Sequence, residues 1–229
     1  MRNLALMWVL AACLLGCGGM DKDAKDKADP AADTVAPFTD TRDGKVYKIV
    51  KIGSQIWFAE NLNFAAEGSK CYGEDGRVWV GRYEMTTIST AEVEANSAKY
   101  GRLYNWETAL KACPAGYHLP SADEWEALVD YVGGEETAGT KLKSAAGWNE
   151  DGNGMNDYGF SALPGGNGFS VGGFGNTGDY GYWWSATESG VDGAWYRYME
   201  YDNENVGRDG NYKTGLLSVR CVADKEGEQ

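Results

Sequence analysis

Cys113-Pro-Ala-Gly-Tyr-His-Leu-Pro-Ser-Ala-Asp-Glu-Trp125 decides how this chain is read, because a half-cystine candidate, a tight turn and a helix start follow one another without a spare residue. Ser121 is placed to cap a helix: its hydroxyl can accept from the backbone N–H of Glu124, and the Glu124 carboxylate can reach back to the Ser121 amide. Pro120 is positioned to pack on Trp125 as a hydrophobic staple. Trp125, Leu128, Val129 and Val132 then recur at i, i+3, i+4 and i+7, one apolar stripe that needs a core to lie on. Gly133-Gly134 stops the helix by allowing positive φ.

Upstream, Trp106, Ala109, Leu110 and Cys113 repeat that spacing and point Cys113 inward. Downstream, 216–222 alternates, with Leu217, Val219 and Cys221 on one face that would meet the Cys113 helix. Both cysteines thus lie on apolar faces of regular elements, and we pair Cys113 with Cys221. Closing a loop of about a hundred residues contributes on the order of 4 kcal/mol in the chain-entropy picture. Cys71, in a loop among Gly68, Ser69, Gly73 and Gly76, is left unpaired.

The chain starts differently. A weakly positive Met1-Arg2-Asn3 precedes an apolar run over 4–15 that is too short to span a bilayer, and Leu14-Leu15-Gly16-Cys17 resembles a bacterial lipobox. Residues 1–16 read as a lipoprotein signal peptide and Cys17 as the lipidated first residue of the mature protein. Leu10-Ala11-Ala12-Cys13 is a second lipobox candidate, and an ordinary signal peptide is the plainer alternative. Acyl chains on Cys17 bring about 0.8 kcal/mol per buried methylene, so the lipid bilayer is an expected partner without a transmembrane helix. Residues 17–39, rich in Asp, Lys, Ala and Pro, read as a disordered tether. The folded domain is expected over 40–223 and a frayed tail over 224–229. Export permits disulfides and implies a lipid-anchored, extracytoplasmic place at the bacterial outer membrane or cell surface.

A formal net charge of −13 argues against nucleic acid as a partner. The 32 Gly, 14 Tyr and 9 Trp against only 6 Phe describe a loop-rich domain whose large rings mostly carry a polar handle, suited to a wet core boundary or to a binding face. A hairpin is expected over 45–59 around Gly53-Ser54, a short helix near 90–98, and strands over 182–187 and 194–201. Asp209-Gly210 reads as a hairpin turn. The glycine-rich run 147–181 reads as ordered irregular coil packed through Trp148, Tyr158, Phe160, Leu163, Phe169 and Phe174.

With the opening stretch, Gln55-Ile-Trp-Phe-Ala-Glu-Asn-Leu-Asn63, Tyr100-Gly-Arg-Leu-Tyr-Asn-Trp106, Asn156-Asp-Tyr-Gly-Phe-Ser-Ala-Leu-Pro-Gly-Gly166, Gly181-Tyr-Trp-Trp-Ser-Ala-Thr187 and Ser218-Val-Arg-Cys-Val222 form an ordered set that resembles the Fibrobacter succinogenes major paralogous domain. That resemblance implies an exported bacterial lipoprotein and no established activity. Many members carry a further cysteine just before Tyr-Gly-Arg-Leu-Tyr that could partner the one at Cys71; here Asn96-Ser97-Ala98 has none. More distantly, Gly116-Tyr-His-Leu-Pro-Ser-Ala-Asp-Glu-Trp-Glu126 is similar to a signature of formylglycine-generating-enzyme-like proteins. This implies an α+β, irregular C-type-lectin-like fold of that type, with two main helices and short antiparallel strands. The oxidase chemistry of those proteins needs a pair of copper-binding cysteines before the closing Arg-Cys, and 211–220 holds no cysteine.

His118 is the sole histidine and is expected to serve a structural hydrogen-bonding role. Asp151-Gly-Asn-Gly-Met-Asn-Asp157 offers oxygen ligands as a calcium loop would, but departs from the EF-hand pattern at Met155 and lacks the closing Glu, so no cofactor is assigned. Trp195, Tyr196, Tyr198, Tyr201, Asn203, Asn205, Arg208 and Tyr212 are the candidate ligand-binding residues: rigid rings with amides and guanidinium between them, half of which strand alternation must turn to the core. The expectation is a non-catalytic binding or adhesion module for polysaccharide, a surface protein or another surface polymer. A structural envelope protein and a carboxylate- or metal-dependent enzyme are the alternatives.

Overall fold

The computed structural model describes residues 35–80 and 84–225. In chain order it holds β1 (Phe38–Thr39), β2 (Val46–Tyr47), β3 (Ile49–Ile52), β4 (Gln55–Phe58), β5 (Lys70–Cys71), β6 (Arg77–Val80), β7 (Glu84–Thr87), α1 (Thr90–Tyr100), β8 (Arg102–Tyr104), α2 (Trp106–Ala112), β9 (Tyr117–His118), α3 (Ala122–Tyr131) and α4 (Glu135–Leu142). Then follow β10 (Gly165–Gly168), β11 (Phe174–Thr177), β12 (Tyr180–Glu188), β13 (Gly193–Glu200), β14 (Gly207–Tyr212), β15 (Leu217–Ser218) and β16 (Val222–Ala223). The signal peptide, Cys13, Cys17 and the tether as far as residue 34 lie outside the described residues, as does the tail from 226. Among the described residues no helix is long and apolar enough to cross a membrane.

Ten strands form one curled sheet in the order β5-β8-β15-β12-β10-β11-β6-β7, with β13 on β12 and β14 on β13. β3-β4-β16-β9 make a second sheet and β1-β2 a third. The expected α+β, C-type-lectin-like fold with two main helices and short antiparallel strands is therefore overturned. Strand takes 35% and helix 21%, the described helices number four, and the large sheet is mixed, with β10 and β15 each parallel to β12 and β11 parallel to β6.

The misreading has a physical source in the segment expected to be coil. β10 is Gly-Gly-Asn-Gly, buried throughout, so it carries none of the alternation by which a strand is recognised. Glycine is required there by close approach. At Gly166 (φ +65) a Cβ would stand 2.2 Å from the Gly175 carbonyl oxygen, so only a residue without one lets β10 pair with both β11 and β12. Phe160, Phe174 and Trp148 are buried as expected, but Phe169 stays exposed.

The helices follow their local signals. Ser121 accepts from Glu124 N, and Glu124 closes the capping box on α3. Trp125, Leu128, Val129 and Val132 are all buried, packed with Trp57, Phe160, Trp183 and Met199. Gly133 and Gly134 then take positive φ. α1 forms where a short helix was expected, with its own box of Ser89 and Glu92. α2 buries Trp106, Ala109 and Ala112, while Leu110 of the expected stripe is exposed. Cys113 ends α2 and is bonded to Cys221, with Cα atoms 5.9 Å apart. Leu217, Val219 and Cys221 lie in one core with Tyr47, Phe58, Tyr104, Trp106 and Trp184.

Three boundaries move. β1 belongs to the segment expected as tether, and Asp40 beyond it is buried against Arg42. Asp224, expected in the frayed tail, donates its N–H to Gly116 O and holds His118. Asp209-Gly210 makes no turn: both lie inside β14, with Gly210 opposite Trp195, and the chain reverses over 201–206. There Lys143 Nζ donates to the Glu200 and Asn203 carbonyls and buried Val206 draws the chain back.

Candidate functional site

The β12–β13 hairpin pairs Tyr180 with Glu200, Tyr182 with Tyr198 and Trp184 with Tyr196. Paired residues share a face, so Tyr180, Tyr182, Tyr196, Tyr198 and Glu200 stand together on the side where Trp184 enters the core. The rings of Tyr180 and Tyr182 stack at 5.4 Å with 3° between planes. Tyr182 meets Tyr196 edge-on at 5.7 Å, and Tyr196 lies 5.9 Å from Tyr198. All four are half-buried. Burial pushes the Tyr196 phenol up to about 12, with Asp209 adding to it, and raises those of Tyr180, Tyr182 and Tyr198 as well. The hydroxyls stay protonated and able to donate. Burial, with Asp202 nearby, also raises the Glu200 carboxyl.

The tyrosine shelf differs from the tryptophans beneath it in what its polar ends do. The indole N–H groups of Trp106, Trp125, Trp183 and Trp184 donate to Ser185 O, Trp184 O, Asn61 Oδ1 and Tyr104 O. Among the described residues no hydrogen bond ends on the hydroxyl of Tyr180, Tyr182, Tyr196 or Tyr198.

The expected binding residues do not form one site. Tyr196 and Tyr198 join the shelf. Trp195 and Arg208 are on the opposite face, where the Arg208 guanidinium lies 5.0 Å from the Trp195 ring centroid, and exposed Tyr212 pairs with Gly193 at that hairpin's far end. Tyr201, Asn203 and Asn205 belong to the turn: Tyr201 packs on the core, and Asn203 Oδ1 accepts from Asn205 N. Tyr180 and Tyr182 were missed as ligand candidates, although the strand over 182–187 was read and alternation within it puts Tyr182 beside Tyr198.

A buried polar hub was missed as well. Asn61 Oδ1 accepts from Trp183 Nε1, Arg220 Nε and Arg220 Nη2, and its amide donates to Tyr100 O. Arg220, fully buried, also donates to the carbonyls of Phe58 and Phe160 and lies over the Phe160 ring. Burial lowers its pKa, while the five hydrogen bonds it donates favour the charged form. With Asn61 and Arg220 buried, the hub acts as a fastening.

His118 donates or accepts at both ring nitrogens, Nδ1 with Asp224 at 2.6 Å and Nε2 with Glu124 at 3.0 Å. The hydrogen bond with Glu124 raises it to about 9, against the effect of burial. A ring clamped and protonated in this way cannot serve as a triad base. In the run weighed as a calcium loop and left without a cofactor, Asn153 Oδ1 accepts from Trp148 N and Asn156 Oδ1 from Ser161 N, so both amides hold turns. Among the described residues no group of three His, Cys, Asp or Glu side chains could hold a metal. Cys71 is a free thiol, its sulfur 2.9 Å from Arg102 Nη1.

A family model described as the Fibrobacter succinogenes major domain matches residues 50–223. No curated protein and no solved structure gives a match.

Proposed function

The chain belongs to the Fibrobacter succinogenes major domain family, and from that premise we propose that it is a non-catalytic cell-envelope lipoprotein, anchored through Cys17, whose domain binds polysaccharide or another surface polymer on the shelf of Tyr180, Tyr182, Tyr196 and Tyr198. The observation that carries this reading is four half-buried tyrosine rings on one sheet face with, among the described residues, no hydrogen bond on their hydroxyls. Rings of this kind offer stacking surface for the C–H faces of sugar rings, and their hydroxyls offer hydrogen bonds at small entropy cost. Each ring is expected to contribute on the order of 1 kcal/mol, so Tyr196→Ala with Tyr198→Ala weakens binding about thirty-fold. Pull-down on insoluble cellulose, chitin and xylan, with thermal melting of the same variant, tests it. Binding lost with folding kept supports the shelf. No binding to any polymer by the parent chain returns the domain to a structural envelope role.

Glu200 favours one second reading. A carboxyl raised by burial at the end of an aromatic shelf is suited to the general acid of a glycosidase. Turnover of a chromogenic glycoside that disappears in Glu200→Gln would replace binding by hydrolysis.

A further inference from the structure

A concavity of about 340 Å³ opens between the run around β2, the chain leaving β4 at 59–63, the last turn of α1 and the 161–163 segment. Lys45, Lys48 and Lys99 line it with one acidic residue, Glu60, in a chain of net charge −13. All three lysines are exposed, and none forms an ion pair among the described residues. Lys45 Nζ donates to the Asn63 carbonyl, itself part of the wall, and Lys99 Nζ lies 4.6 Å from the Tyr100 ring centroid. At physiological salt charges act over about 8 Å, so a ligand in the cleft feels these ammonium groups, with Glu60 in the wall and Asp43 beside Tyr47, more than the rest of the acidic surface.

We propose that this cleft binds the carboxylate-bearing ring of an acidic saccharide. Its volume suits a sugar ring and exceeds what a bare anion fills. Val46 and Leu163 offer apolar wall for a ring face, and the ammonium groups meet the carboxylate. Glu60 takes a backbone N–H from Lys48 on one oxygen, and its other oxygen can accept a hydroxyl of the sugar ring.

Titration calorimetry of the mature chain with α-1,4-trigalacturonate, its methyl ester and inorganic phosphate tests this independently of the tyrosine shelf. The acid trimer is expected to bind, more weakly as salt rises, and the neutral ester about ten-fold less tightly. Lys45→Ala/Lys48→Ala/Lys99→Ala is expected to lose about the same factor with an unchanged melting temperature, since all three side chains are on the surface. The single charge reversal Lys48→Glu is expected to weaken the trimer while leaving the ester unaffected, and Tyr196→Ala/Tyr198→Ala is expected to bind the trimer as the parent does. Ester bound as tightly as acid, phosphate bound as tightly as the trimer, no trimer binding, or loss in the tyrosine variant in place of the lysine variant would each overturn the proposal.

Discussion

Among the described residues Arg220 forms no salt bridge; with Glu60 acting on it from farther off, its charge is held by carbonyl and amide oxygens supplied from distant parts of the chain. Replacing it with methionine fills the volume but leaves the Phe58 and Phe160 carbonyls and Asn61 Oδ1 short of donors. Arg220→Met is expected to cost about 3 kcal/mol, seen as a lower urea midpoint at unchanged slope. His118 makes a different prediction, about pH. Its folded pKa of about 9 lies above the ordinary 6.5, so its contribution is complete below 6.5 and is lost as pH rises through 9. Glu124, raised by burial but brought down to about 2 by His118 and the Ser121 N–H, gives stability that is complete above 4.5 and lost as pH falls toward 2. The melting temperature is therefore expected to decline between pH 6.5 and 9, and that decline is expected to flatten in His118→Gln. The structural role of His118 was legible from its place before Leu119-Pro120, whereas its partner Asp224 was not, because 106 residues separate them.

Elements were legible where the signal was local. The α3 helix needed only Ser121, Glu124 and the stripe from Trp125, all within twelve residues. Ser121→Ala removes the cap and is expected to cost about 1 kcal/mol, a fall in melting temperature of about 2–4 °C for a domain of this size, measurable by calorimetry. The β3–β4 and β12–β13 hairpins were legible from β-rich runs on either side of glycine-bearing turns. β10 and β11 were not, since glycine strands are specified by what must pass close to them. Asp209-Gly210 misled for a related reason: a turn dipeptide acts only where strand pairing leaves the chain free to reverse, and β13 pairs straight through it.

At the scale of the whole molecule, the Cys113–Cys221 disulfide ties the end of α2 to the segment leading into β16 across 108 residues. Cys113→Ser/Cys221→Ser is expected to lose about 4 kcal/mol, or roughly 10 °C in melting temperature, with the same shift on reduction of the parent. Five of the quoted motifs meet at the hub: Asn61, Trp183 and Arg220 through their side chains, and Tyr100 and Phe160 through their carbonyl oxygens. The sequence by itself determined the family likeness, the capped helix, the cystine pair and the wealth of tyrosine, because each is written in neighbouring residues or in composition. Only the tertiary structure decided that the domain is built on a ten-stranded sheet, that Tyr180 and Tyr182 join Tyr196 and Tyr198 while Trp195 and Arg208 face away, and that three lysines share one cleft. Which face a side chain takes and which distant segment it meets are set by strand register and close packing, and neither leaves a periodic trace in the chain.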